Sequence, residues 1–313
     1  MKTVAFVTNS ISFGGVEVAM YDYADYNETL LGNKSIVITR DFKHTHGPIY
    51  EKFEKRFPVF YVQSREDINK VIREQGVYVC YTIKSGEFDL FGTDVCKNVT
   101  HCVFTTTQPH GNVYAAIHPV LNKIHGTNCP VVPHMIRIDS HSDSFRSELG
   151  IPSDSVVVGR YGSAGSFDLG FVHEAIIELL NRNPTMWFVC MATNHFASHP
   201  RLVYLPVTID LYVKRKMINT CDVMLHARYR GETFGLSCGE FSLAGKPFLT
   251  WAHSNEKAHI QNSKDVCCLY SNKEDVIRII ESGEWRKLDM ATSGYLDYTP
   301  DKVMAIFDQV FLS

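Results

Sequence analysis

Arg228-Tyr229-Arg230-Gly231-Glu232-Thr233-Phe234-Gly235-Leu236-Ser237-Cys238-Gly239-Glu240 is the stretch around which the chain is organised. Two carboxylates, Glu232 and Glu240, stand eight positions apart, with a Phe-Gly step and small residues between them. The preceding Asp222-Val223-Met224-Leu225-His226 is a short apolar run of the kind a buried strand shows. The following Phe241-Ser242-Leu243-Ala244-Gly245-Lys246-Pro247 reads as a helix stopped by glycine and proline. Glu232 therefore falls in a strand-to-helix loop, and Glu240 on the first turns of the helix. Gly235 lets the backbone approach a ligand closely, and a helix start offers unpaired N–H groups and a positive dipole end to an anion. The pattern suits a ligand carrying both phosphate and hydroxyl groups. A solvated loop and helix is the plainer reading of the same carboxylates.

Outside this stretch, composition sets limits. At 313 residues the chain is long enough for two domains of roughly 150 residues each. Its 45% hydrophobic content is that of a globular protein with a real core, and a formal net charge of −3 gives no electrostatic case for nucleic-acid binding. Nine cysteines, an odd count without a C-x-x-C pair, argue against a disulfide framework or a zinc ribbon and fit a reducing compartment. The N-terminus turns polar at Thr8-Asn9-Ser10, too soon for a signal peptide, and no apolar run approaches the ~20 residues of a membrane helix. A cytoplasmic setting is expected, with peripheral contact to a membrane surface left open.

The rest of the chain alternates in the rhythm of α/β units. Val4 to Val7 reads as a strand, broken by Thr8 to Gly15 and followed by Val16, Ala19, Met20, Tyr23 and Ala24 at helical spacing. This strand, Gly14-Gly15 loop and helix open a Rossmann-like unit, although the G-x-G-x-x-G fingerprint of a dinucleotide site is absent. Ser35–Thr39, Val59–Val62, Val77–Thr82 and Cys102–Thr106 read as further strands, and Glu66–Glu74 as a helix. A mostly parallel sheet follows, with ligands at the strand C-terminal edges. Two loops lie at such edges: Ile83-Lys84-Ser85-Gly86-Glu87, a charge-bearing loop or an exposed turn, and Thr105 to Gly111, which carries His110 beside Pro109. In the second half, Val156-Val157-Val158-Gly159-Arg160 and Trp187–Met191 read as strands. Phe171 to Leu180, Leu211–Asn219 and Val276 to Ile280 read as helices.

Glu232 to Glu240 resembles the E-x7-E signature of retaining glycosyltransferases built from two facing Rossmann-like domains, in particular glycosyltransferase family 4. The Glu-Thr-Phe-Gly-Leu wording and the later Gly245-Lys246-Pro247 strengthen the match. The resemblance implies the two-domain architecture known as GT-B, with an interdomain cleft. It places an acceptor-side domain at residues 1–138, a polar linker at 139–148 and a nucleotide-sugar domain at 149–298, with a last helix at 299–313 that returns to the first domain. It also implies transfer of a sugar, with retention, from a nucleoside-diphosphate (UDP or GDP) donor to a glycan or other hydroxyl acceptor. No organic cofactor is implied, and the lack of any Asp-x-Asp triplet agrees with metal independence.

Residue by residue, Glu240 would grip the ribose diol and Glu232 the hydroxyls of the transferred sugar. Backbone N–H groups from Thr233 and Phe234 through Gly235, Leu236 and Ser237 would hold sugar or phosphate oxygens. Arg160 would reach the diphosphate, a role suited to its bidentate fork. Thr193 opens the nucleobase pocket. His110 would sit near the transferred sugar, and Gly14, Gly15, Glu17 and Lys84 would face the diphosphate or the acceptor. One departure stands out: Gly165 occupies the place of the family's second diphosphate cation, a lysine. The backbone of Gly162 and Ser163, or another cation among Arg228, Arg230, Lys214 and Lys216, would have to take over. The departure keeps a non-catalytic nucleotide-sugar or glycan binder as the alternative. An epimerase or NAD-dependent oxidoreductase is a third reading, poorly served by the glycine pattern.

Overall fold

The computed structural model describes residues 1–12, 14–40, 47–89 and 91–313. The chain divides into two compact units, Met1–Met135 with Tyr298–Ser313, and Ile136–Asp297.

The first unit is a six-stranded parallel sheet. Its strands are β1 (Thr3–Thr8), β2 (Lys34–Arg40), β3 (Val59–Val62), β4 (Val79–Lys84), β5 (Lys97–Cys102) and β6 (Val113–Ala116), in the order β3-β2-β1-β4-β5-β6. Val4 to Val7 and Ile36 to Ile38 are wholly buried, as expected for strands covered on both faces. The helices are α1 (Gly15–Thr29), α2 (Pro48–Arg56), α3 (Arg65–Gln75) and α4 (Pro119–His125). Local sequence explains their ends. Ser64 and Asp67 form a reciprocal capping box at the start of α3, and Gly76, at φ 58°, closes it in the left-handed conformation.

One expected strand of this sheet is shifted, and β6 is not read from the sequence at all. The expected Cys102–Thr106 is displaced by β5, whose Lys97, Asn98, Thr100 and His101 hide it from a hydrophobic pattern. His101 is nonetheless fully buried, because both its ring nitrogens are satisfied: Nδ1 lies 2.7 Å from the Tyr81 hydroxyl and Nε2 lies 2.7 Å from the Val132 carbonyl. Around it pack Tyr23, His134, and Phe311 from the C-terminal segment. That segment comprises a helix, Pro300–Phe307, continued by a π-helical turn, Asp308–Leu312. Phe307 stacks on Tyr23 with centroids 5.1 Å apart.

The second unit repeats the plan. Its main strands are β7 (Val156–Tyr161), β8 (Met186–Met191), β9 (Leu202–Leu205), β10 (Val223–His226), β12 (Phe248–Trp251) and β14 (Cys267–Tyr270). The two-residue strands β11 (Gly231–Glu232) and β13 (Glu256–Lys257) pair beside this sheet. The order β14-β12-β10-β7-β8-β9, all parallel, is the order of the first unit read from the other end. Each unit therefore has the 3-2-1-4-5-6 arrangement of a Rossmann sheet. The helices are α5 (Gly170–Arg182), α6 (Leu211–Thr220), α7 (Leu236–Leu243), α8 (Ala258–Ser263) and α9 (Lys273–Ser282); the C-terminal helix, α10, belongs to the first unit. Val172, Ile176, Leu179 and Leu180 of α5 meet Val276, Ile279 and Ile280 of α9 in one core cluster.

The stretch 139–148 is held to the second unit. Arg146 donates to the Asp222 carboxylate at 2.8 Å and to the Thr220 carbonyl at 3.1 Å, and Asn219 donates to the carbonyls of His141 and Asp143. Among the described residues, no helix is long and apolar enough to cross a membrane.

Candidate functional site

In a 3-2-1-4-5-6 sheet, the crevice for ligands opens outside the C-terminal ends of strands 1 and 4, where the crossovers turn to opposite sides. In the second unit these strands are β7 and β10. Arg160 is the penultimate residue of β7 and His226, shortly before Glu232, is the last of β10, so these two residues straddle the switch point.

Glu232 sits on β11, aligned with Lys257 of β13. Its neighbour Gly231 has φ 81°, and a Cβ there would lie 2.0 Å from the Glu256 carbonyl oxygen, so no other residue fits. The Glu232 carboxylate accepts from Arg228 Nη1 at 2.8 Å and from His226 Nε2 at 3.2 Å. Burial opposes its charge. The hydrogen bond from His226, that ring's interaction and the Arg228 guanidinium outweigh burial and draw the carboxyl down to about 2. Glu232 is thus a fixed, ionised acceptor at neutral pH.

Glu240 lies in the body of α7 and is 4% exposed. Its Oε1 accepts from Lys214 Nζ of α6 at 2.8 Å, a pair buried on both sides. Burial works against the Lys214 ammonium, but the Glu240 carboxylate and Tyr161 hold its pKa well above the usual value. The second oxygen, Oε2, is buried and has no hydrogen-bond partner. A buried acceptor oxygen without a partner is uncommon and calls for a donor.

The start of α7 has neither a side-chain cap nor an acidic residue in its first turn, so its first N–H groups are open to an anion. Gly235, at φ 87°, begins it. Its bare side packs inward: a Cβ would meet His259 Cβ at 2.7 Å and the Tyr295 hydroxyl at 2.8 Å. The glycine is required by its backbone angle and by this packing behind the loop. Tyr295 and Asn262 both donate to the Phe234 carbonyl, at 2.8 and 3.1 Å. Thr233 and Phe234 are buried, and Leu236 and Ser237 half-buried.

Arg160 occupies its expected position but faces the protein. It is 2% exposed, and burial pulls its guanidinium down to about 10. Its Nη atoms donate to the carbonyls of Ser163 (2.6 Å) and Ala192 (2.8 Å) and to the hydroxyls of Ser166 and Thr193 (both 2.9 Å). These bonds weld the loop after β7 to the loop after β8, where Ala192 takes a left-handed φ of 50°. Arg160 therefore shapes the loop that carries Gly162, Ser163 and Gly165. A Cβ at Gly165 would meet nothing within 4 Å, so sterics do not explain the missing lysine. The other cations are engaged too: Arg228 by Glu232, Arg230 by Glu256 at 2.7 Å, Lys214 by Glu240 and Lys216 by Glu148.

In the first unit, Gly14 and Gly15 start α1. Glu17 folds back over them, so that a Cβ on Gly14 would meet its Oε2 at 2.6 Å. Burial raises the Glu17 carboxyl. Lys84 ends β4 and pairs with Asp89 at 2.8 Å. Lys84 and His110 share a pocket of about 660 Å³ with Thr82, Asn98 and Thr100. The His110 ring lies between Phe88 and Tyr114, its Nδ1 is 2.6 Å from the Gln108 carbonyl, and burial lowers its pKa.

Three polar residues beside Glu232 escaped the sequence reading. His226 Nδ1 lies 2.8 Å from Thr250 Oγ1, which lies 2.9 Å from His259 Nε2. His226 and Thr250 are register partners on β10 and β12, a relation that becomes visible only once the sheet order is known.

In sequence, no family model matches the chain, and no curated protein does. In structure, a glycosyltransferase of Rickettsia africae superposes with a TM-score of 0.72 at 13% identity, covering 99% of this chain and 98% of that one. The fold is that of the GT-B glycosyltransferases. Anabaena HepE, in complex with UDP and glucose, superposes with a TM-score of 0.68 at 14% identity over 99% of this chain and 96% of its own. A Listeria monocytogenes protein provisionally named UDP-N-acetylglucosamine 2-epimerase reaches 0.63 at 12% identity, covering 97% and 94%. Glycosyltransferases and at least one protein named otherwise therefore share this backbone, and the function has to be argued from the site.

Proposed function

We propose that the chain is a retaining, metal-independent glycosyltransferase that moves a sugar from a UDP- or GDP-sugar to a hydroxyl acceptor. The observation that carries the reading is the buried Glu240 carboxylate, whose Oε2 has no partner while Oε1 is tied to Lys214. A ribose diol supplies the hydroxyl donor that this oxygen lacks, and each charge-assisted bond of this kind contributes ~1.5–3 kcal/mol. The uncapped start of α7 then meets the diphosphate, and Glu232, ionised and fixed by Arg228 and His226, takes hydroxyls of the sugar. As the nucleoside diphosphate leaves, the sugar becomes oxocarbenium-like. The helix start and the 162–166 loop stabilise the departing negative charge. Lys84, His110 and the first turn of α1 at Gly14, Gly15 and Glu17 belong to the acceptor side of this reading.

The engagement of every named arginine and lysine by the protein itself favours a second reading, a nucleotide-sugar or glycan binder that does not transfer. Calorimetric titration with UDP, GDP and their sugars, with EDTA present throughout, followed by NMR of any released sugar, separates the two. Binding with slow release of the α- or β-anomer that matches the donor supports transfer with retention. Release of the opposite anomer overturns retention. Binding without any turnover across a broad acceptor panel supports the binder, and no binding at all defeats both.

A further inference from the structure

From the half-buried Glu232 an unbroken line of hydrogen-bonded side chains runs inward: Glu232 Oε1, His226 Nε2 at 3.2 Å, then from His226 Nδ1 to Thr250 Oγ1 at 2.8 Å, then His259 Nε2 at 2.9 Å. The two imidazoles lie 4.7 Å apart, His226 is 5% exposed, and Thr250 and His259 are fully buried. Each link comes from a different element. His226 ends β10, Thr250 lies on β12, and His259 is on α8. The Tyr270 hydroxyl, from β14, donates to the His226 carbonyl at 2.7 Å and fixes the far side of the same residue.

Proton counting gives this line a direction. An ionised carboxylate only accepts, so His226 Nε2 must carry a hydrogen. In a neutral ring Nδ1 is then bare and accepts, so the Thr250 hydroxyl must point its single proton at His226. Thr250 Oγ1 then accepts, and His259 Nε2 must carry the hydrogen that reaches it. With both rings neutral, no other set of proton positions satisfies all three bonds, and it leaves His259 Nδ1, which has no hydrogen-bond partner, bare. Burial, which holds the His259 ring down to about 3, keeps that ring neutral.

We infer that Thr250 and His259 are positioning residues for Glu232: together they impose the Nε2–H tautomer on His226 and thereby fix the carboxylate in the direction from which it meets the ligand. Neither residue touches the ligand. Their effect passes through His226, much as an outer partner fixes the tautomer of a catalytic or metal-bound histidine. The inference about catalysis rests on the glycosyltransferase reading, whereas the tautomer itself does not depend on it.

The experiment therefore has a spectroscopic and a kinetic arm. In the full chain, labelled with ¹⁵N-histidine and held at about pH 8, above the usual histidine range, long-range ¹H–¹⁵N spectra report which ring nitrogen bears the proton. The wild type should show Nε2–H for both His226 and His259, assigned by the signals lost in His226→Asn and His259→Asn. Thr250→Val keeps the shape and removes the hydroxyl, and it should leave His226 without a single tautomer. Thr250→Ser should restore it. In the kinetic arm, Thr250→Val should lower kcat for donor turnover by about ten- to a hundredfold, the scale of a misplaced catalytic group, with KM for the donor nearly unchanged and Thr250→Ser recovering most of the rate. An Nδ1–H tautomer at either ring of the wild type, or a Thr250→Val spectrum like wild type, overturns the relay whether or not the protein transfers sugar. Unchanged kcat in Thr250→Val despite a scrambled tautomer overturns the positioning role alone. If the wild type turns over no nucleotide-sugar, the positioning role falls with the glycosyltransferase reading, and the spectra still decide the relay.

Discussion

Both units place a buried histidine cluster on the same kind of sheet, and the two clusters end differently. In the first unit, His101 on β5 is closed at both ends by the Tyr81 hydroxyl and the Val132 carbonyl, and Phe311 of the C-terminal segment covers it. In the second, the chain of bonds from His259 through Thr250 and His226 ends on Glu232, a carboxylate at the crevice. A histidine whose hydrogen bonds close on backbone and core is part of the packing. One whose bonds run out to a half-buried carboxylate holds that carboxylate in place, and on the proposed reading Glu232 is the group that meets the sugar. Topology is common to both units, so the terminus of the hydrogen-bond chain is what separates scaffold from site.

The largest expected effect tests the second unit. Lys214→Met removes the cation and leaves Glu240 as an uncompensated buried charge. It should destabilise that unit by about 3–5 kcal/mol, read by denaturant unfolding, and replacing both partners with Lys214→Met and Glu240→Leu should recover much of the loss. A single variant as stable as wild type would show that the pair is not buried in solution.

Acid should separate the two units next. His101 and His259 both have folded-state values near 3, below the usual ~6.5, and His134 is also pushed well down by burial. The unfolded chain binds a proton on each ring below about pH 6.5, while the folded chain does not until far lower. Their stabilisation is therefore complete above pH 6.5 and drains as pH falls, at up to about 1.4 kcal/mol per ring per pH unit. Glu232, lowered from 4.5 to about 2, adds a loss in the same direction only below pH 4.5. With two fully buried rings of this kind against one, the first unit should open before the second between pH 6.5 and 4.5. Amide hydrogen exchange resolved by segment checks this, and earlier opening of 136–297 would contradict it.

The alternating strands and helices, the crossover glycines and the E-x7-E stretch were legible because each is a local pattern: an apolar run, a helix face, a fixed spacing. The hidden parts depend on partners distant in sequence. Lys97 to His101 does not read as a strand, since the bonds that make burial of His101 tolerable come from Tyr81 and Val132. Arg160 was found in its place, but its attachment to Ser163, Ser166, Ala192 and Thr193 was not, because two separate loops must converge to create it. The same is true of His259, which nothing in the sequence near residue 259 distinguishes.

The smallest expected effect concerns the loop that Arg160 shapes. Gly165→Lys adds a side chain into open space and should raise nucleoside-diphosphate affinity by a factor of a few, no more than about 1 kcal/mol for one partly exposed charge, with a matching increase in salt dependence. Unchanged affinity and salt dependence in calorimetry would place the diphosphate elsewhere.

The central claim is that Glu232 acts on the sugar of a nucleotide-sugar held beside α7, and turnover by Glu232→Gln tests it most directly, with binding of the nucleoside diphosphate measured on the same samples. Wild type and variant are expected to bind the nucleoside diphosphate alike, while release of that diphosphate from the nucleotide-sugar falls in the variant by about a hundred- to a thousandfold, the loss typical of one electrostatic group at a reacting centre. Full turnover by Glu232→Gln, or a wild type that binds no nucleoside diphosphate, would contradict it.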